Sequence, residues 1–136
     1  MEQGEFILTN IQRAALKKMA VVLLYVHGSI ASGQAGKESD VDVAVLFEHS
    51  PEDPVRATTA IVEALQGFVP GREMDVAILN DASPLLAQSV ASRGKLLFAR
   101  SPADDLLFQV RAMHEYESSR RIARIGQELN RARAGV

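Results

Sequence analysis

The run Val21-Val22-Leu23-Leu24-Tyr25-Val26 is apolar at every position, and that alone narrows the folds open to this chain. A β-rich segment with no polar face belongs inside a sheet, not at its wet edge. A second run, Val41-Asp42-Val43-Ala44-Val45-Leu46-Phe47, predicts another strand with its acidic residue near the start. Between them, Gly28 to Gly36 is a break holding three glycines. Met74–Leu79 reads as a third strand and Lys95–Ala99 as a fourth. Helical spacing places Ile11, Ala14, Ala15 and Leu16 on one face of a segment over Ile11–Met19. The turn residues Ser50–Pro54 lead into a helix ending near Leu65, and Leu85–Ala91 predicts a short helix. Strands alternating with helices give an α/β or α+β sheet domain.

The last third is different. From Ala103 to about Arg133, Leu106, Leu107, Val110, Met113, Ile122, Ile125 and Leu129 recur at helical spacing. The stripe Leu106, Leu107, Val110 and Met113 is expected in the core. Such a helix runs to about 45 Å, longer than a domain about 30–40 Å across, so it must bend, break near Gly126, or project. From Arg111 onward it carries six arginines against three glutamates, the pattern of a solvated face or of a surface for an acidic partner.

With 136 residues the chain makes one domain, a core over about 12–100 followed by the helical segment 103–134. Having no cysteine, it can build neither a disulfide framework nor a thiolate metal site. The apolar run around Ala20–Val26 is too short to span a bilayer, and the acidic start Met1–Glu5 lacks the basic region of a secretory signal, so a cytoplasmic location is expected. Seventeen acidic against 15 basic side chains argue against a protein that grips many phosphates, so no direct nucleic-acid substrate is expected.

The chemistry is concentrated in Gly28-Ser29, ten residues, then Asp40-Val41-Asp42. Carboxylates two apart on a strand share a face, and Asp75 opens a third strand with the same apolar continuation. If those strands pair, three carboxylates meet, each like-charge pair costing about 3 kcal/mol at 5 Å and an effective dielectric of 20. That cost calls for a cation or a shared proton, and oxygen-only ligation selects a hard divalent ion, Mg²⁺ above all. Gly28 lets the backbone approach a phosphate, and Ser29 adds a hydroxyl and serves equally as a helix N-cap. Together these describe a site for a nucleoside triphosphate. Asp40 and Asp42 would hold the metal, and Asp75 would complete a second metal position and accept a hydroxyl proton. His27, His49 and His114 suggest no histidine metal site, and His27 reads as a strand-end side chain.

These residues resemble the nucleotidyltransferase fold shared with DNA polymerase β. The short chain, the run Ser39-Asp40-Val41-Asp42-Val43-Ala44-Val45 and the arginine-rich terminal helix look most like the minimal nucleotidyltransferases, specifically MntA-type antitoxins paired with HEPN-domain toxin ribonucleases. The resemblance implies a small mixed sheet of about four strands flanked by helices, with a long C-terminal helix. It implies nucleotide binding by Gly28, Ser29 and Ser39, and Mg²⁺ binding and catalysis by Asp40, Asp42 and Asp75. It also implies transfer of AMP from ATP to a tyrosine hydroxyl of the toxin, inactivating it. The sequence departs from many relatives at Ser32, where they carry a basic residue, and at His27, where they carry an aromatic one. Loss of that cation weakens triphosphate binding or moves the task to Lys37 or an arginine. Two other readings follow from the same residues: an antitoxin that neutralises by occlusion, without catalysis, and a nucleotidyltransferase acting on a small molecule such as an aminoglycoside.

Overall fold

The computed structural model describes residues 7–28 and 40–135. Thr9 starts the first helix, α1 (Asn10–Lys18), through a capping box: the Thr9 hydroxyl accepts from the Gln12 amide at 3.1 Å, and the Gln12 side chain accepts from the Thr9 amide at 2.9 Å. The chain then runs through β1 (Val21–His27), β2 (Val41–Phe47), α2 (Pro54–Ala64), β3 (Met74–Ile78), α3 (Pro84–Arg93), β4 (Lys95–Ala99) and α4 (Pro102–Ala134). Asp53, Ser83 and Ser101 cap α2, α3 and α4, and each of those helices carries proline in its first turn.

The four strands form one sheet in the order β3-β2-β1-β4. β1 pairs antiparallel with β2 and with β4, whereas β2 and β3 run parallel, so the sheet is mixed. β1 is internal and its residues 21–26 are all buried, as their lack of a polar face requires.

Alternation along β2 divides the interior. Val41, Val43, Val45 and Phe47 pack with Leu16 of α1 and with Ile61 and Leu65 at α2. Ala44 belongs to the other face, with Leu23 and Tyr25 of β1, Leu79 after β3 and Val90 of α3. The far end of β2 is closed by Asn80, whose side chain accepts from the Phe47 amide at 3.0 Å and donates to the Phe47 carbonyl at 2.8 Å, standing in for a strand partner.

Two amphipathic assignments are corrected. In α1, Ile11 is 83% exposed, while Gln12 and Leu16 form the buried edge. Gln12 faces inward because its amide donates to the Gln66 carbonyl at 3.3 Å, joining α1 to the end of α2. In α4, Leu106, Leu107, Val110 and Met113 are exposed rather than core; the residues turned inward are Asp105, Phe108, Gln109 and Ala112. The helix phase is set by a polar contact: the buried Tyr25 hydroxyl donates to the Asp105 carboxylate, with the Phe108 ring 5.5 Å from that of Tyr25. At the start of α4, Arg100 forks onto Asp104 at 3.0 and 3.1 Å and reaches Glu48 at 2.9 Å, fixing the helix to the end of β2. That pairing, followed by the Ser101 hydroxyl, holds the Asp104 carboxyl below the usual carboxylate range.

Burial, reinforced by the Asp105 carboxylate, pushes the Tyr25 phenol well above its ordinary value. The buried phenol stays protonated where an unfolded tyrosine ionises, so this contribution to stability is complete below pH ~10 and is lost as pH rises above it. Tyr25→Phe is expected to cost about 1 kcal/mol in urea unfolding at pH 8. The gap from the parent chain should narrow above pH ~10; a gap unchanged at pH ~11 would refute this account of the α4 anchor.

Candidate active site

Pairing decides which carboxylates meet. In the parallel ladder Asp42 is the register partner of Asp75, and in the antiparallel ladder Asp42 is the partner of His27. Register partners share a face, so His27, Asp42 and Asp75 form one row across three adjacent strands spaced about 4.8 Å apart. The Val41 amide donates to the Glu73 carbonyl at 2.8 Å, which locks the start of β2 beside β3 and holds that row in register. The next row on the same face is Tyr25, Ala44 and Ala77, with Tyr25 and Ala44 fully buried. Asp42 is therefore half-buried at the border between core and solvent, whereas Asp75 is exposed. Asp40 is exposed one residue ahead of β2, at the two-residue spacing from Asp42 that returns a side chain to the same face of an extended chain.

Gly28 follows β1 directly and has φ +78°, a left-handed conformation that side chains disfavour. Space forbids a side chain as well, since a Cβ at this position would collide with the Asp42 carboxylate. The glycine thus serves the acidic row itself, clearing room for Asp42 at the end of β1. Ser29 and Ser39, together with Ser32 and Lys37, lie outside the described residues.

The three aspartates supply only oxygen donors, and two of them are register neighbours, which suits a hard divalent cation. They are brought to one end of one sheet face without being drawn into a closed cluster: among the described residues, no three His, Asp or Glu side chains are gathered tightly enough to hold a metal ion. A cavity of about 420 Å³ lies at the opposite end of the strands, bounded by Val22, Leu46, Asn80, Phe108 and Arg111. It contains none of the aspartates of the row and is separate from this site.

His27 is the residue whose position sequence reasoning undervalued. Read as a strand-end side chain, it stands half-buried beside Asp42 in the acidic row. Its place immediately before Gly28 was visible, but the register of a hairpin closed by a long connection was not.

The model of the polymerase β nucleotidyltransferase family matches residues 9–103, which includes Gly28, Asp40, Asp42 and Asp75. The protein adenylyltransferase MntA of Shewanella oneidensis is 32% identical over 97 residues, covering 70% of this chain and 66% of that protein. A toxin–antitoxin crystal structure with AMP-PNP superposes with a TM-score of 0.66 at 27% identity, over 89% of this chain and 99% of that one. A chain of the solved complex of tri-AMPylated Shewanella oneidensis HEPN toxin with MNT antitoxin superposes with a TM-score of 0.57 at 25% identity, over 87% of this chain and 98% of that one. The acidic row, the glycine that makes room for it and the matched span agree: this chain belongs to the polymerase β nucleotidyltransferase family.

Proposed function

We propose that this chain is an antitoxin that works as a Mg²⁺-dependent protein adenylyltransferase in the cytoplasm, moving AMP from ATP to a tyrosine hydroxyl of a cognate HEPN-type toxin ribonuclease. The observation that carries the reading is the in-register pairing of Asp42 with Asp75 beside Gly28. The relative named a protein adenylyltransferase and the solved complex with an AMPylated toxin support the choice of donor and acceptor. Among the described residues no helix is long and apolar enough to cross a membrane.

Asp40 and Asp42 would hold Mg²⁺, with Asp75 as a further ligand. When bound, the ion neutralises charge on the phosphates and steadies the leaving pyrophosphate. Gly28 brings backbone close to the phosphates and keeps the Asp42 carboxylate free of steric contact. Asp75, exposed at the edge strand, takes the proton from the incoming hydroxyl. The acceptor oxygen then forms a bond to the α-phosphorus, the bond from that phosphorus to the bridging oxygen breaks, and pyrophosphate leaves with that electron pair. Ser29 and Ser39 would add hydroxyl contacts to the nucleotide.

The test is incubation with ATP, Mg²⁺ and the cognate toxin, followed by intact mass of both proteins. The reading predicts AMP-sized increments on the toxin that disappear when Mg²⁺ is chelated. An unmodified toxin, with AMP-sized increments on an aminoglycoside in a parallel incubation, would redirect the enzyme to a small-molecule acceptor. Toxin neutralised with no mass change would leave the occlusion mechanism.

A further inference from the structure

Helix α4 outruns the body that anchors it. Asp105, Phe108, Gln109 and Ala112 face the sheet and α3, yet every residue from 119 to 135 is exposed and the helix continues through Gly126 without a break. Sixteen residues of free helix extend about 24 Å, close to the marginal length for a helix that no packing supports. This segment nonetheless carries Ile122, Ile125 and Leu129 at 70%, 51% and 56% exposure. Their i, i+3, i+7 spacing puts them in one stripe, the seam with which a helix packs on a neighbour. The stripe is rotated away from the face that α4 turns to its own domain, so no described part of this chain covers it.

Charge identifies the occupant. Residues 119–135 hold five arginines and one glutamate, a net of +4 on a chain whose total is −2. Pairing with a second copy would bring two such strongly positive segments together, and like charges along a seam are unfavourable. Nucleic acid would suit the arginines but would leave three large aliphatic side chains without apolar cover. A membrane surface is disfavoured because the seam is narrow and has no aromatic residue among its three members. An acidic protein surface with an apolar groove satisfies both features.

We propose that residues 119–135 form a docking arm for the cognate toxin, with Ile122, Ile125 and Leu129 seated in an apolar groove and the flanking arginines facing carboxylates. This rests on the reading of the chain as an antitoxin, and it places the grip on the partner in a segment beyond the family match at 9–103. The arm holds the toxin while the acidic row acts on it, so binding and transfer use different residues.

Two double variants of the full chain test this, Ile125→Asp with Leu129→Asp and Arg121→Glu with Arg124→Glu. Both alter only exposed positions outside the acidic row. Affinity for a ribonuclease-inactive form of the toxin and affinity for ATP are each measured at 50 and 300 mM salt. The seam variant should bind the toxin at least 100-fold more weakly at both salt concentrations, with ATP affinity within twofold of the parent. The charge variant should lose at least tenfold at 50 mM and less at 300 mM, because added salt screens the lost attraction. Unchanged toxin affinity in the seam variant would overturn the proposal. So would a dimer of the free chain that dissociates with the seam substitutions, or binding to RNA or phosphatidylglycerol vesicles that is lost with them while toxin binding persists. A parent chain that binds the toxin through the arm but transfers no AMP would sink the adenylyltransferase reading and leave the docking arm standing.

Discussion

Asp42→Asn is expected to lower AMP transfer to the toxin about 10³-fold while making the protein more stable. Asp42 is the one carboxylate that belongs to both ladders, facing His27 on one side and Asp75 on the other, so no neighbour can substitute for its charge. The asparagine keeps the shape and removes the repulsion against Asp75. Screened by solvent at exposed Asp75, that repulsion is worth about 1 kcal/mol, and unfolding stability should rise by that amount. Intact-mass kinetics and urea unfolding measure the two changes, and toxin affinity should be unaltered because the arm is elsewhere. A variant that keeps more than a tenth of the activity would remove Asp42 from the chemistry. A variant that is both inactive and less stable would show that the residue is structural.

Gly28→Ala should cost about 1–3 kcal/mol of stability and about 100-fold in AMP transfer, although it adds a single methyl group. Two effects combine at this position. The left-handed backbone, φ +78°, penalises any side chain, and the new Cβ would strike the Asp42 carboxylate and push it out of the acidic row. Gly67 separates the effects: its φ is +83°, but nothing lies within 4 Å of a Cβ built there. Gly67→Ala should therefore cost about 1 kcal/mol and leave transfer intact. If both alanine variants retain full activity, Gly28 is a turn residue only and the close packing of the row is not required for the reaction.

Element positions were legible along most of the chain. Strands over Val41–Phe47 and Lys95–Ala99 were expected with the observed bounds, because apolar β-rich runs flanked by glycine, proline and polar residues have few other local solutions. The helix expected over Leu85–Ala91 extends to Pro84–Arg93, since Ser83 and Pro84 start it one residue earlier and Gly94 marks its end. The residue types of the acidic row were equally readable, because three aspartates at strand starts announce themselves by charge in otherwise apolar segments.

Which faces these elements present was not legible where the deciding contact is distant in sequence. Hydrophobic spacing pointed to Leu106, Leu107, Val110 and Met113 as core, but the bond from Tyr25 to Asp105, 80 residues apart, turns α4 so that they face solvent. The same limit explains His27, whose place beside Asp42 depends on how β1 and β2 align in the antiparallel ladder. Local sequence determined the strands, the helix starts and the identity of the acid groups, because backbone preference and side-chain polarity act over a few residues. Only the tertiary structure decided that Asp42 and Asp75 are partners and that the end of α4 stands clear of the body. Both depend on ladder register and helix rotation, which are settled by contacts between residues tens of positions apart.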